Sequence, residues 1–477
     1  MLSEQQDRLR RINRWLPAVV LGLVIGIISA FSMGSLFILF LVLLTGLFLY
    51  GITHREERKF VLVLFLIGFL VRSMVSVGLD LGSWIVEGQG PSKYAEVHGW
   101  NLGIVDRTRE YIKIGDSDYY SQRGYAIAQY AKEVREPVVL FRVQQYGWNG
   151  YVYVIGLFYY LFGYSPVSVK LINCLLGALL GPILFFLAKS CFNASIGRWS
   201  SIAVAFFPSL ILWSATNLKE SSFIGMTLLL LLLFSRIREA PDVRSRLFYG
   251  CLFLFALLVH MTLRSAFFSF LLVGAVLISQ GIIFLKRKSW FLVLTLGVVA
   301  GFTCMRWVDI RSGLMMPLFY RHLGYVGTAG VSYEYLPEEF YTHSKSYRNE
   351  PLEDLSSEIK PAVLVLAVAK SVFHYLVEPL PWKMDNLFLL FISPQMLFWY
   401  LILLLAFLGI GWSLRWNLDR SLFLCVTLFS WIVLMAPASG NVGTLFRIRD
   451  TVTPFFLIFA SVGIRILLHS AREENPG

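Results

Sequence analysis

The amino-acid sequence predicts an all-α, polytopic membrane protein with about 12 transmembrane helices. Its composition and the length of its apolar runs lead to that class. Of the 477 residues 57% are hydrophobic and 15% charged, where soluble domains average roughly 45–50% apolar and about 25% charged. Several apolar runs reach the roughly 20 residues that span a bilayer. The roughly 10-residue alternation of a membrane barrel is not seen. The net charge of +12 then reports topology and contact with anionic lipid. Nucleic-acid binding would need a basic stripe on a recognisable module, and the chain has neither. Cys174, Cys191, Cys251, Cys304 and Cys425 lie in or beside apolar runs without close pair spacing. They predict neither a disulfide framework nor a zinc site.

Arg8, Arg10, Arg11 and Arg14 hold residues 1–15 in the cytoplasm by the positive-inside rule. Spans follow at 16–33 and 35–52. The first lacks a small-residue cleavage motif and the second follows at once, so no removable signal peptide is expected. Residues 1–59 thus form a two-span extension that ends in the basic link His54–Lys59.

The next module, 60–306, opens with a span at 60–80 and a large extracytoplasmic section at 82–166. In that section, Ser117 to Val134 is expected to be an interfacial helix. It places Tyr120, Ile127, Ala131 and Val134 on one stripe, with Arg123, Lys132 and Glu133 elsewhere. Tyr146 to Phe162 is short and crowded with Tyr and Trp, and is expected to be a second interfacial helix. Spans follow at 167–188, 197–214, 219–235, 247–262, 265–285 and 289–306. Lys189 and Arg198, then Arg236, Arg238, Arg244 and Arg246, then Lys286, Arg287 and Lys288 fall on alternate links. All three links land in the cytoplasm.

Residues 307–389 form a second extracytoplasmic section. Its apolar stretch 361–377 is expected to be a re-entrant helix stopped at Pro379 and Pro381. Spans at 390–412, 421–437 and 452–468 make a C-terminal bundle, 390–477, and leave both termini cytoplasmic. No internal repeat of the kind that builds many transporters is present.

The residues able to carry chemistry gather at the outer ends of these spans. Gly115-Asp116-Ser117-Asp118-Tyr119-Tyr120 places two carboxylates where a helix begins. A carboxylate in reach of an acceptor hydroxyl can act as a general base, and Asp116 is the candidate. Asp116 or Ser117 equally suits an N-cap, and the two roles can coexist. Asp118, with Tyr120 beside it, is a candidate substrate contact. The Asp-x-Asp spacing leaves a divalent metal as an open alternative, but no cofactor is expected. Lys219 and Glu220 stand in one outer turn and Arg264 in another, as substrate contacts or as local ion pairs. Arg447 and Arg449 follow the Gly-bearing turn Gly440–Thr444, where main-chain N–H groups and guanidinium forks suit a phosphate. Interfacial anchoring is the alternative there. Arg72 lies within an apolar run, where a charge suggests function unless it pairs with Asp80 or snorkels. His260, His343 and His374 have no metal-ligand spacing.

From Gly115 to about Leu233 the chain resembles the GT-C class of polyprenyl-phosphate-sugar-dependent glycosyltransferases. That class includes protein O-mannosyltransferases and lipid A aminoarabinose transferases. Asp116, with Tyr120 four residues on, is similar to the family's Asp at the start of its first large outer loop. Leu161-Phe162-Gly163 through Lys170-Leu171-Ile172-Asn173 resembles the passage into the following span, with Lys170 where the family usually has Arg. Phe207-Pro208 followed by Ser214 to Phe223 resembles the outer turn with its Thr/Ser-x-Glu, here Lys219-Glu220.

The resemblance implies a GT-C-like fold and a multi-pass enzyme, in a bacterial cytoplasmic membrane with its site facing outward. It implies transfer of a sugar from a polyprenyl-phosphate carrier to a glycan, lipid or protein acceptor, with Asp116 as base. A polysaccharide polymerase or ligase using lipid-linked glycans, and a transporter of lipid-linked oligosaccharide, remain the rival expectations. The transporter would expect paired charges deep in several spans.

Overall fold

The computed structural model describes residues 33–86, 117–132, 149–264, 266–286, 333–335, 361–380, 387–438 and 442–473. Among these the chain forms α-helices and no strand. In chain order they are α1 Met33–Ile52, α2 Arg55–Val86, α3 Ser117–Ala131, α4 Gly150–Phe162 and α5 Pro166–Cys191. Then come α6 Ala194–Ala205, α7 Pro208–Ala215, α8 Glu220–Glu239, α9 Val243–Leu263 and α10 Ala266–Lys286. The last are α11 Pro361–Val377, α12 Leu387–Trp416, α13 Leu418–Met435, α14 Val442–Arg449 and α15 Thr453–Glu473.

Seven helices are long and apolar enough to cross a bilayer, or up to nine if each of two bent pairs is one span. They leave large apolar faces uncovered: Phe40, Leu43, Leu47 and Phe48 on α1, and Phe248, Leu254, Phe255 and Leu258 on α9, are exposed. Such faces are costly in water and at home in lipid. The protein is therefore a polytopic helical membrane protein.

The expected spans at 35–52, 60–80, 167–188, 219–235, 247–262, 390–412 and 421–437 fall on α1, α2, α5, α8, α9, α12 and α13. Those at 289–306 and, but for Met33, 16–33 lie outside the described residues. Two others are not straight. The stretch 197–214 is broken into α6 and α7, bent by 55°. Pro208 has no N–H to give to the preceding turn and its ring collides with that turn's carbonyl, so it starts a new helix instead. The span 452–468 is preceded by α14 with a 60° bend, so the expected turn at Arg447 and Arg449 is helical. In α10 the apolar helix of the expected span 265–285 is shorter, Phe268–Ile283.

The chain divides into two compact units. The first comprises Met1–Ile183, Ala205–Leu230 and Leu254–Arg264. In it α3 and α4 cross closely: a Cβ on Gly124 would strike Ile155, and one on Gly156 would come within 2.8 Å of Ile127. Ser121 and Tyr159 share a hydrogen bond of 2.7 Å across the same crossing. The burial of α3 departs from the expected stripe. Arg123 is buried and Ala131 exposed, because the Arg123 guanidinium lies 3.6 Å over the Tyr119 ring and is shielded with it.

The second unit comprises Leu184–Val204, Leu231–Phe253 and Ser265–Gly477. The turn before α9 is set by Asp242. Its carboxylate accepts the Ser245 N–H at 2.8 Å and the Ser245 hydroxyl at 3.1 Å, which holds its pKa below the ordinary value. At the centre α12 crosses α15 with no side chain between the two backbones. A Cβ on Gly409 would collide with the Phe459 carbonyl, and one on Gly463 with the Leu405 carbonyl. Small residues permit this approach between membrane helices.

Gly409→Leu and Gly463→Leu are each expected to lower stability by at least the roughly 1–3 kcal/mol of ordinary overpacking. Gly411→Leu, at an exposed position with nothing within 4 Å, is expected to be neutral. Thermal unfolding in detergent distinguishes them.

Candidate functional site

The site is built around four residues that are not helical. Between α7 and α8 the chain runs through Thr216, Asn217, Leu218 and Lys219, and the groups that a helix would satisfy are met by side chains from elsewhere. Asn173, on α5 and fully buried, donates its amide to the Thr216 carbonyl at 2.6 Å and to the Leu218 carbonyl at 2.5 Å. The Ser117 hydroxyl, at the first residue of α3, accepts the Asn217 N–H at 3.2 Å. Tyr151, at the second residue of α4, donates its hydroxyl to the Asn217 amide oxygen at 2.6 Å. The Lys219 carbonyl accepts the Phe223 N–H at 3.0 Å and opens α8.

The N-termini of α3, α4 and α8 therefore meet at one loop. Each brings main-chain N–H groups and the partial positive end of a helix dipole, a setting that favours an anion. Around it, Tyr120 is buried edge-on to Tyr151 at 5.6 Å, and the Lys219 ammonium lies 5.7 Å from the Tyr120 ring. Glu220 is only 2% exposed.

The last turn of α9 reaches the start of α4, where a Cβ on Gly150 would collide with Thr262. Arg264 follows, its guanidinium 4.9 Å over the Phe223 ring. Phe223 in turn stacks on His260 at 4.7 Å, and the His260 Nε2 is 3.1 Å from the Thr227 hydroxyl. His260 is thus bound into the packing between α8 and α9.

Of the residues singled out in the sequence, the structure gathers Tyr120, Lys219 and Glu220 around this loop, and places Arg264 two residues after Thr262. Asp116 and the Asp118 side chain lie outside what is described, although Ser117, next in chain to Asp116, is bonded into the loop. Among the described residues no three His, Cys, Asp or Glu side chains gather as a metal site would need.

The second unit accounts for Arg449 in another way. It is 1% exposed and donates to the Glu378 carbonyl at 2.6 Å and to the Met396 sulfur at 3.2 Å. It also lies 4.6 Å over Trp399 and 5.0 Å over Phe446. Trp399 donates to the Leu376 carbonyl at 2.6 Å, and Tyr375 to that of Ile448 at 3.1 Å. This knot ties the end of α11 to α12 and α14. The Glu378 carboxylate lies 3.3 Å from the His374 Nδ1 and accepts the Leu380 N–H at 2.8 Å, and Tyr333 stacks on His374 at 4.3 Å. Burial, then the neighbouring Glu378 carboxylate, pushes the Tyr333 phenol well above its ordinary pKa. Arg447, in α14, is half-buried.

The residues that sequence reasoning passed over are Asn173, Asn217 and Tyr151. Asn173 stood in a quoted motif without a role. The signal that could have found it is an amide inside an otherwise apolar span, which lipid does not tolerate unless it is bonded.

These features define a helical membrane protein with a site where helix N-termini converge. Residues 150–307, about a third of the chain, match the family model for dolichyl-phosphate-mannose-protein mannosyltransferase, a GT-C type glycosyltransferase domain. The match covers α4, α5, the 216–219 loop and α8, and begins after Asp116. Comparison with curated proteins and with solved structures gave no match.

Asn173→Asp keeps the shape but replaces the donor of two hydrogen bonds with a carboxylate facing two carbonyls. It is expected to cost at least about 2 kcal/mol, read as a lowered unfolding midpoint in detergent.

Proposed function

We propose that the chain is an integral-membrane glycosyltransferase of GT-C type that moves a sugar from a polyprenyl-phosphate carrier to an extracytoplasmic acceptor. The observation that carries this reading is the coincidence of the mannosyltransferase match with α4, the 216–219 loop and α8, two of the three helices whose N-termini converge. Charge supports the orientation. α8 starts at the loop and ends with Arg236 and Arg238, and α9 starts with Arg244 and Arg246 and ends beside the site. By the positive-inside rule those arginines are cytoplasmic and the loop is on the other side.

In this mechanism Asp116 takes the proton of the acceptor hydroxyl as its oxygen attacks the anomeric carbon. The bond from that carbon to the phosphate oxygen breaks, and the electron pair leaves with the polyprenyl phosphate. Negative charge grows on the phosphate as the bond breaks. The N-termini of α3, α4 and α8, Lys219 and Arg264 stabilise it. Asp118, Tyr120 and Glu220 contact the sugars. Arg264 is the arginine assigned to the phosphate, because Arg449 already gives its guanidinium to Glu378 and Met396.

Asp116→Asn is expected to lower transfer of labelled sugar in membranes by about 100-fold or more, with unused lipid-linked donor accumulating. Arg264→Gln is expected to lower kcat/KM for the donor about tenfold, the effect of losing roughly 1.4 kcal/mol of transition-state stabilisation. Cys251→Ser, at an exposed position on α9, serves as the matched control. Full transfer by a well-expressed Asp116→Asn would remove Asp116 as base and favour a polymerase or transporter.

A further inference from the structure

Arg72 is a charge that the proposed transfer chemistry does not use. It sits in the apolar run of α2 and is 0% exposed, where an unpaired cation would be costly. The sequence leaves pairing with Asp80 or snorkelling as alternatives; the Asp80 side chain lies outside what is described, and the bonds described hold Arg72 to other groups. Its Nη1 donates to the Gly68 carbonyl on its own helix at 3.0 Å and to the Ala205 carbonyl at 2.8 Å. Its Nε donates to the Ser214 hydroxyl at 2.8 Å.

Ala205 is the last residue of α6 and Ser214 lies in the last turn of α7. One guanidinium therefore grips the broken span on both sides of its 55° bend. The Ala205 carbonyl belongs to the C-terminal turn that the break leaves without helical partners, so the cation meets the negative end of a helix dipole. Ser214 turns its own proton back to the Leu210 carbonyl at 2.7 Å and leaves a lone pair for Arg72. The space is kept by Gly177 on α5: a Cβ there would collide with Ser214 and lie 2.8 Å from the Arg72 Nε. Ser214 is two residues ahead of Thr216, where the loop that carries Asn217 and Lys219 and leads into Glu220 begins.

We propose that Arg72 is a positioning residue for sugar transfer: by clasping both halves of the broken span it fixes where the loop 216–219 stands. The proposal rests on the functional reading above. A planar fork with donors at fixed angles sets a bend in a way that a single ammonium does not. Misplacement of a catalytic constellation by about 1 Å can cost on the order of 100-fold in rate.

The test uses the full-length protein in lipid nanodiscs, as wild type, Arg72→Met, Arg72→Lys and Gly177→Ala. Amide hydrogen exchange is read by mass spectrometry, and kcat and KM are measured with a polyprenyl-phosphate sugar. Exchange over 206–220 is expected to rise tenfold or more in Arg72→Met and Gly177→Ala, while peptides of α12 and α15 keep their wild-type rates. The kcat is expected to fall at least 30-fold with donor KM within threefold, and Arg72→Lys to fall between. If Arg72→Met does not fold, Gly177→Ala and Arg72→Lys carry the test. Unchanged exchange, a uniform rise across all peptides, or full kcat in variants with local opening each overturn the proposal. A wild-type protein without transfer activity overturns the functional reading instead, and the exchange data then decide the clasp by themselves.

Discussion

A chain that leaves the helix in a buried setting strands main-chain N–H and C=O groups that other protein groups must satisfy. The first unit of this protein is arranged around that constraint. Pro208 breaks a span, and the four residues after α7 stay unwound until α8 begins. Arg72 meets one freed carbonyl, Asn173 meets two more, and Ser117 meets an N–H. Each of these side chains comes from a different helix. Holding the break and the unwound loop after it therefore brings α2, α3 and α5 to fixed places, and Tyr151 adds α4. The polar groups that allow the break are the same ones that assemble the site.

The two units answer the problem of buried charge in the same chemical way. Arg72 and Arg449 both lie inside apolar surroundings, and both give guanidinium protons to main-chain carbonyls at interrupted helices. Arg449 adds two aromatic faces, Trp399 and Phe446. A carbonyl freed at the end of a helix carries partial negative charge, so it serves a buried arginine without the desolvation of a second full charge.

Much of the architecture was legible from hydropathy, because a bilayer-length apolar run has few other uses. Helices α1, α2, α5, α8, α9, α12 and α13 stand where such runs stand. The bends were harder to see. Average hydropathy carries straight through Phe206-Phe207-Pro208, and only the missing N–H of Pro208 marks the break. The expected turn at Arg447 became helix because no residue from Val442 to Arg449 is a breaker after Gly443. The lean of α3 was misjudged because a charge was assumed to face water, whereas Arg123 is covered by an aromatic ring. At the site, Lys219, Glu220 and Tyr120 were legible as polar or aromatic residues at the ends of apolar runs. Asn217 and Tyr151 were not, since their roles depend on which helices meet and no local pattern encodes that; Asn173 was marked only as an amide inside an apolar span.

The central claim is that the convergent N-termini at the 216–219 loop receive the lipid-linked phosphate. The most direct measurement is photocrosslinking of the full-length protein with a polyprenyl-phosphate sugar bearing a diazirine next to the phosphate, with peptides mapped by mass spectrometry. The account predicts label in peptides covering 216–223 and 117–123, competed by unmodified donor. Competed label confined to peptides of the second unit, such as 374–400 or 442–449, would contradict it.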